Sequence, residues 1–242
     1  CNYGGFVAKL AANGTWQWAR SIDYNGTNPS TALNEVNEHI EPWKIIVEDN
    51  GDYVIYGGCE GYIAPNSECQ DTNYGLRSSF VMKFWGENGT LQWAKTLDPI
   101  DNTKNSDISI DHNSDIYVSG NFGCGGQSCT VIDDLAPISR GPSVGIFIAK
   151  LFENGTWAWI NSAEQESCSA GSGGSSNPLQ AVVTDSNGGL YITGDYYKRN
   201  NDNSGNFIGY CSTTTLNFGS ASVTADGPAI YVAKANTSTG SW

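Results

Sequence analysis

The carboxylates most able to do chemistry fall in three short turn sequences of the 242-residue chain: Glu48, Asp49 and Asp52 in EDNGD, Asp111 and Asp115 in DHNSD, and Asp185 in DSNGG. A glycosidase needs two carboxyl groups facing each other across roughly 5–10 Å, one with a raised pKa. Recurrence at one position of a short turn points elsewhere. Asp and Asn side chains accept hydrogen bonds from their own backbone two residues on, which stabilises the turn itself. Such turns would allow weak calcium binding, but neither DNGD nor DHNSD has the twelve-residue spacing of a calcium loop. No cofactor is expected.

Nucleophilic chemistry finds little support. His39 and His112 are the only histidines, and no GxSxG, HExxH, phosphate-cradling GxxxxGK[ST] or dinucleotide fingerprint accompanies them. GSGG at 171–174 joins no strand to a helix and reads as a loop. The expectation is therefore a protein without enzymatic activity, with a secreted glycoside hydrolase only the third choice.

Two residue types recur at fixed positions. Lys9, Lys83, Lys150 and Lys234 each sit in the phrase F/Y-V/I-x-K. A ring of cations around an anion is one reading; a stem lying on its sheet, its ammonium paired to an Asp or a carbonyl, is the favoured one. Trp16, Trp18, Trp93, Trp157 and Trp159 alternate in the strand that follows, with Leu91 replacing one of them. Trp18, Trp93 and Trp159 are expected to face the core. Trp16, Leu91 and Trp157 would then meet a neighbouring sheet, a sugar or another subunit, so a glycan-binding role is the alternative function.

The seven cysteines are Cys1, Cys59, Cys69, Cys124, Cys129, Cys168 and Cys211. Cys59 with Cys69 and Cys124 with Cys129 bracket turn-rich loops and read as local disulfides, with Cys168 to Cys211 as a longer link. Zinc is the rival, but there are no CxxC pairs and no nearby histidines, so no metal is expected. Cys1 is left over, to pair with an upstream or partner cysteine or to carry a lipid. Disulfides imply an oxidising compartment. Acceptor sequons agree: Asn13, Asn88 and Asn154 each open Asn-Gly-Thr at the same place in three copies of the phrase, and Asn25 and Asn236 add two more. Asn-Gly is also a preferred hairpin turn, and an exposed turn is where a glycan can be attached. An extracellular or cell-surface location follows.

These residues need elements to position them. In FVAKL, Phe6, Ala8 and Leu10 alternate with Val7 and Lys9, and alternation resumes in TWQWA beyond Asn-Gly-Thr, which is a β-hairpin. A second hairpin follows each copy: WKIIVEDNGDYVIYGG (43–58), DISIDHNSDIYVSG (107–120) and LQAVVTDSNGGLYITG (179–194). One unit is thus four antiparallel strands, with approximate units at 6–79, 80–146 and 147–230 and a partial fourth copy at 231–242, all within one β-repeat region, 1–242. Connections at 20–42, 59–79, 94–106, 121–145, 160–178 and 195–229 carry the variation. Frequent Trp, Tyr, Phe, Val, Ile and Thr with 29 glycines give an all-β composition. A formal charge of −13 would repel nucleic acid and anionic membranes. No apolar run is long enough to span a membrane, and no leader precedes Cys1, so the leader has been cleaved or the sequence begins inside a longer chain.

The pattern [FY]-[VI]-A-K-L-x-x-N-G-x-W-x-W-A, then V-x-D-x-x-G-x-[IVL]-Y-[VI]-[ST]-G, then LNFGSASVTADGPAIYVAK, resembles the SBBP-type β-propeller repeat of secreted and cell-surface proteins. The resemblance covers nearly every expected strand and implies β-propeller-like blades of four-stranded antiparallel sheets. It implies no catalytic residues, because the family is defined by its scaffold. The cysteine-bracketed loops, sequons and long insertions depart from it.

Three blades are too few to close a propeller. The chain is expected to continue, to form an open stack, or to take strands from a neighbour through unpaired β-edges. The expected function is a structural or adhesive glycoprotein module, self-assembling into a cell-surface filament.

Overall fold

Alternating apolar residues bounded by Asp/Asn/Gly turns fold here as antiparallel strands, and among the described residues no helix interrupts them. The structure is a computed structural model, describing residues 5–22, 39–64, 67–69, 71–72, 76–97, 107–122, 132, 135, 145–165, 175–176, 179–201, 207–210 and 213–242. Two units divide the chain, Cys1–Pro99 and Ile100–Trp242.

In the first unit, β1 (Gly5–Leu10) and β2 (Trp16–Ile22) form a two-stranded sheet. The second sheet is ordered β3 (His39–Val47), β4 (Tyr53–Ala64), β7 (Leu76–Phe84) and β8 (Leu91–Leu97). Two short strands add to it: β5 (Ser67–Cys69) pairs with β4, and β6 (Asp71–Thr72) with β7. The inner face of the first hairpin buries Val7 and Ile22 against Tyr53, Ile55, Phe80 and Met82.

In the second unit one sheet runs β9 (Asp107–Ile110), β10 (Ile116–Phe122), β11 (Gly145–Leu151), β12 (Trp157–Gln165), β17 (Thr214–Phe218), β18 (Ala221–Ala225). The other centres on β15 (Gly189–Asn201), flanked by β14 (Leu179–Thr184) and β19 (Ala229–Asn236), with β13 (Ser175–Ser176) and β16 (Phe207–Tyr210) also pairing to β15. Their shared core holds Tyr117, Ile146 and Ile148 from the first sheet and Leu190, Ile192 and Tyr231 from the second.

Three phrase strands pair with the Asp/Asn/Gly hairpin that precedes them, β7 with β4, β11 with β10 and β19 with β15. The stretch 195–229, expected as a connection, contributes β17 and β18, which extend the neighbouring sheet from the edge of β12. Cross-strand pairs such as Leu216 with Val223 supply the apolar face that makes this addition favourable.

The hairpin turns share one geometry. In each, the first residue donates its N–H to the carbonyl four residues on, as Glu48 does to Asp52, Asp111 to Asp115 and Asp185 to Gly189. The residue before the closing one takes a left-handed φ: Gly51 at 90°, Gly188 at 77°, and Ser114 at 61°. Glycine adopts this conformation without a Cβ penalty, which is why Asn-Gly recurs. DHNSD places a serine there instead.

Candidate functional site

Asp111 and Asp185 are occupied by their own turns, and Asp52 by the phrase hairpin beside it. Asp111 Oδ1 accepts the Asn113 and Asp115 amides, and its Oδ2 accepts the Tyr117 hydroxyl at 2.8 Å. Asp185 repeats the pattern with the amides of Asn187 and Gly189 and the hydroxyl of Tyr191. Hydrogen bonds from Gly189 and Asn187 hold its carboxyl below the ordinary range. Asp52 accepts the Gly86 amide at 2.9 Å and the Gln92 side chain at 2.9 Å. Among the described residues no group of three or more His, Cys, Asp or Glu is arranged to hold a metal. His112 is exposed in the β9–β10 turn, while the side chain of His39 lies outside the described residues.

Two of the recurrent lysines, Lys9 and Lys150, join sheet to sheet. Lys9 donates to the Gly86 carbonyl at 2.8 Å, and Lys150 donates to the Thr237 carbonyl at 3.3 Å. Gly86 and Thr237 are equivalent, each two residues past the end of its phrase segment (FVMKF, YVAKA), so two lysines make the same bond in two places. Lys150 also pairs with Asp115 at 2.7 Å and lies over the Tyr117 ring at 5.3 Å. Lys83 is buried and pairs with Glu48 at 2.8 Å. Lys234 stands over the Tyr191 ring at 4.9 Å, as Lys150 does over Tyr117.

Tryptophan completes the same joint. A Cβ built on Gly89 would meet the Trp18 ring at 3.0 Å, and one built on Gly240 would meet the Trp159 ring at 2.5 Å. Each indole therefore lies across the phrase turn of the sheet packed against its own. The Trp159 indole N–H also donates to the Thr237 carbonyl at 3.3 Å. Trp18 stacks on Tyr53 with centroids 5.7 Å apart. Of the three residues expected to meet a neighbouring sheet, a sugar or another subunit, Trp16 is 68 % exposed and Leu91 39 %, whereas Trp157 is buried.

A third contact was not foreseen. Asp107 Oδ2 accepts the Val182 amide, Ser109 Oγ accepts the Thr184 amide, and Asn121 Oδ1 accepts the Leu179 amide. Polar side chains of one sheet thus close the open backbone edge of β14. Asp107 and Ser109 alternate with apolar residues in DISI, at positions that prove to be buried, but the alternation does not say which strand they meet.

The sequon asparagines Asn13, Asn88, Asn154 and Asn236 are all exposed, the first three in turns that follow phrase segments and Asn236 at the end of β19. Asn13, Asn88 and Asn154 accept the amide of their sequon threonine, at 3.1, 2.9 and 2.9 Å. Asn236 accepts from Ser238 and Thr239. Asn25 lies outside the described residues. Cys59 is fully buried and disulfide-bonded. The Cys69 backbone lies opposite Gly61, two residues along from Cys59, but its side chain is outside the described residues. Cys1, Cys124, Cys129, Cys168 and Cys211 lie outside them as well. The chain matches no protein-family model and no curated protein.

Proposed function

We propose that this chain is a non-enzymatic structural or adhesive module of an extracellular or cell-surface glycoprotein, built of propeller-like blades and able to self-associate. The observation that carries this reading is the repeated joint: Lys9 and Trp18 in one unit, and Lys150 and Trp159 in the other, pack one sheet against another through the equivalent contacts Lys9 to Gly86 and Lys150 to Thr237. The exposed asparagines in hairpin turns suit glycan attachment, since a turn tip is reachable without unfolding a sheet.

Expression through a eukaryotic secretory pathway tests the reading. Intact-mass analysis before and after enzymatic deglycosylation should show glycans on Asn13, Asn88 or Asn154. Secretion of folded chain with none of its sequons occupied would count against the glycoprotein reading. Electron microscopy of native material should show assemblies. A glycan-binding function is the second reading, favoured by the exposed Trp16 indole, whose flat face is suited to stack on a sugar. Binding on a glycan array that is lost in Trp16→Ala would establish it instead.

A further inference from the structure

Each phrase strand has two faces, and the two joints use them in one fixed order. One face carries Val or Ile and the lysine; the other carries the aromatic residue and the residue that ends the phrase. Val7 packs on the Phe80 and Met82 face of the next sheet in its unit, and Ile148 packs on the Tyr231 and Ala235 face of the next sheet in its own. Within each unit the lysine face of one sheet therefore meets the aromatic face of the sheet that follows it.

The first and the last phrase strands in the sequence, β1 and β19, each leave one half of such a joint open. On β1 the aromatic face is uncovered, with Phe6 78 % and Leu10 51 % exposed, although the equivalent Phe80, Phe147 and Tyr231 are buried. On β19 the lysine face is uncovered, with Ile230 81 % and Val232 69 % exposed, although the equivalent Val7 and Ile148 are buried. The smaller parts of the joint match too. Gly14 has nothing within 4 Å of a built Cβ, where the equivalent Gly89 and Gly240 lie beneath tryptophans. Lys234 is poised over Tyr191 as Lys150 is over Tyr117.

We propose that a second copy of this chain docks head to tail, the lysine face of β19 in one copy packing on the aromatic face of β1 in the next. Ile230 and Val232 then cover Phe6 and Leu10, and Lys234 reaches the Ala12 carbonyl, the counterpart of Gly86 and Thr237. The inference rests on the self-associating reading above and replaces edge pairing with face stacking as its means. Because the two faces differ, the contact is heterologous and propagates. Each copy carries a formal charge of −13, so the apolar joint should tighten as salt screens the repulsion.

The test is sedimentation of the full chain over a concentration series, with Phe6→Asp and Val232→Asp. Both positions are exposed, and near-ultraviolet circular dichroism checks that the variants stay folded. The wild-type chain should form dimers and longer species that increase with salt. Each variant alone should associate at least about tenfold more weakly, since a carboxylate is buried at the joint. Mixed, they should form one-to-one dimers that do not extend, through the β19 face of Phe6→Asp and the β1 face of Val232→Asp. Assembly insensitive to both substitutions overturns face stacking while leaving self-association standing. Dimers of wild type that the mixed variants fail to re-form overturn the head-to-tail order. A wild-type chain that is monomeric at every concentration overturns both this inference and the self-associating reading.

Discussion

Lys83 Nζ lies 2.8 Å from Glu48 Oε1, with 1 % of either side chain exposed. The pair joins β7 to the first residue of the β3–β4 turn, so it locks a phrase strand to the hairpin before it. A buried ion pair recovers little net stability over an apolar pair, yet removing one partner strands a charge in the interior. Glu48→Gln or Lys83→Ala should each cost about 3–5 kcal/mol in chemical denaturation. The double substitution Glu48→Leu with Lys83→Met should recover most of that loss. Equal losses in the singles and the double would show that the pair matters for its shape and not its charge.

Glycine at the phrase turn meets different surroundings in different copies. Gly14 has a φ of 84° and open space around it, so Gly14→Ala should cost only the left-handed penalty, about 1–2 kcal/mol. Gly240 has a φ of 72° and the Trp159 ring 2.5 Å from a built Cβ. Gly240→Ala must displace that indole as well. It should destabilise more than Gly14→Ala and shift the tryptophan emission, whereas Gly14→Ala should leave emission unchanged.

Ser114 occupies the left-handed position that Gly51 and Gly188 fill in the equivalent turns. Ser114→Gly removes the steric cost but lets the unfolded chain sample more conformations, and the two effects partly cancel. The expected result is a gain of up to about 1 kcal/mol, read as a higher melting temperature. A lower one would mean that the serine makes a compensating contact.

Alternation in FVAKL and in the Asp/Asn/Gly hairpins was enough to place the strands, because a period of two has one physical solution when one face is buried. Turn chemistry made the acidic clusters legible, and Asp111 and Asp185 bond their own backbones as that chemistry requires. The lysine pairing was legible as the favoured reading, an ammonium paired to an Asp or a carbonyl; Lys150 does both, with Asp115 and Thr237. Strands β17 and β18 were not assigned to a sheet, because the hairpin lies between stretches of different composition and finds its partner, β12, about 50 residues away in sequence. Closure of β14 by Asp107, Ser109 and Asn121 depends on two sheets meeting, and periodicity within one strand does not encode it.

Asp185 links the β14–β15 turn to acid stability. Its folded pKa is lowered by the Gly189 and Asn187 amides, with the Tyr191 hydroxyl and Lys234 adding to the effect. A lowered folded value stabilises the protein above the unfolded value of 3.8 and ceases to do so as pH falls through the folded value. Asp185→Asn keeps an acceptor oxygen for the turn but cannot titrate. The variant should lose less stability than the wild-type chain on acidification below about pH 4, measured by urea denaturation at a series of pH values. Parallel losses in both proteins would assign the acid sensitivity to other carboxylates.

Tyr53 sets the opposite limb. Its ring stacks on Phe84 with centroids 5.1 Å apart, and its hydroxyl has no hydrogen-bond partner among the described residues. Burial pushes its pKa up to about 12, against a small lowering by Arg20. A raised folded value means that stability is fully present below the unfolded value of 10.0 and declines as pH rises from there through about 12. Tyr53→Phe keeps the stacked ring and removes both the titrating proton and a hydroxyl that burial leaves unsatisfied. Near neutral pH the substitution should be neutral or stabilising, by up to about 1–2 kcal/mol, because deleting an unsatisfied polar group removes a desolvation cost. Between pH 10 and 12 the advantage over wild type should widen. A loss of stability at neutral pH would instead reveal a partner for the hydroxyl, and an unchanged alkaline limb would place the sensitive tyrosine elsewhere.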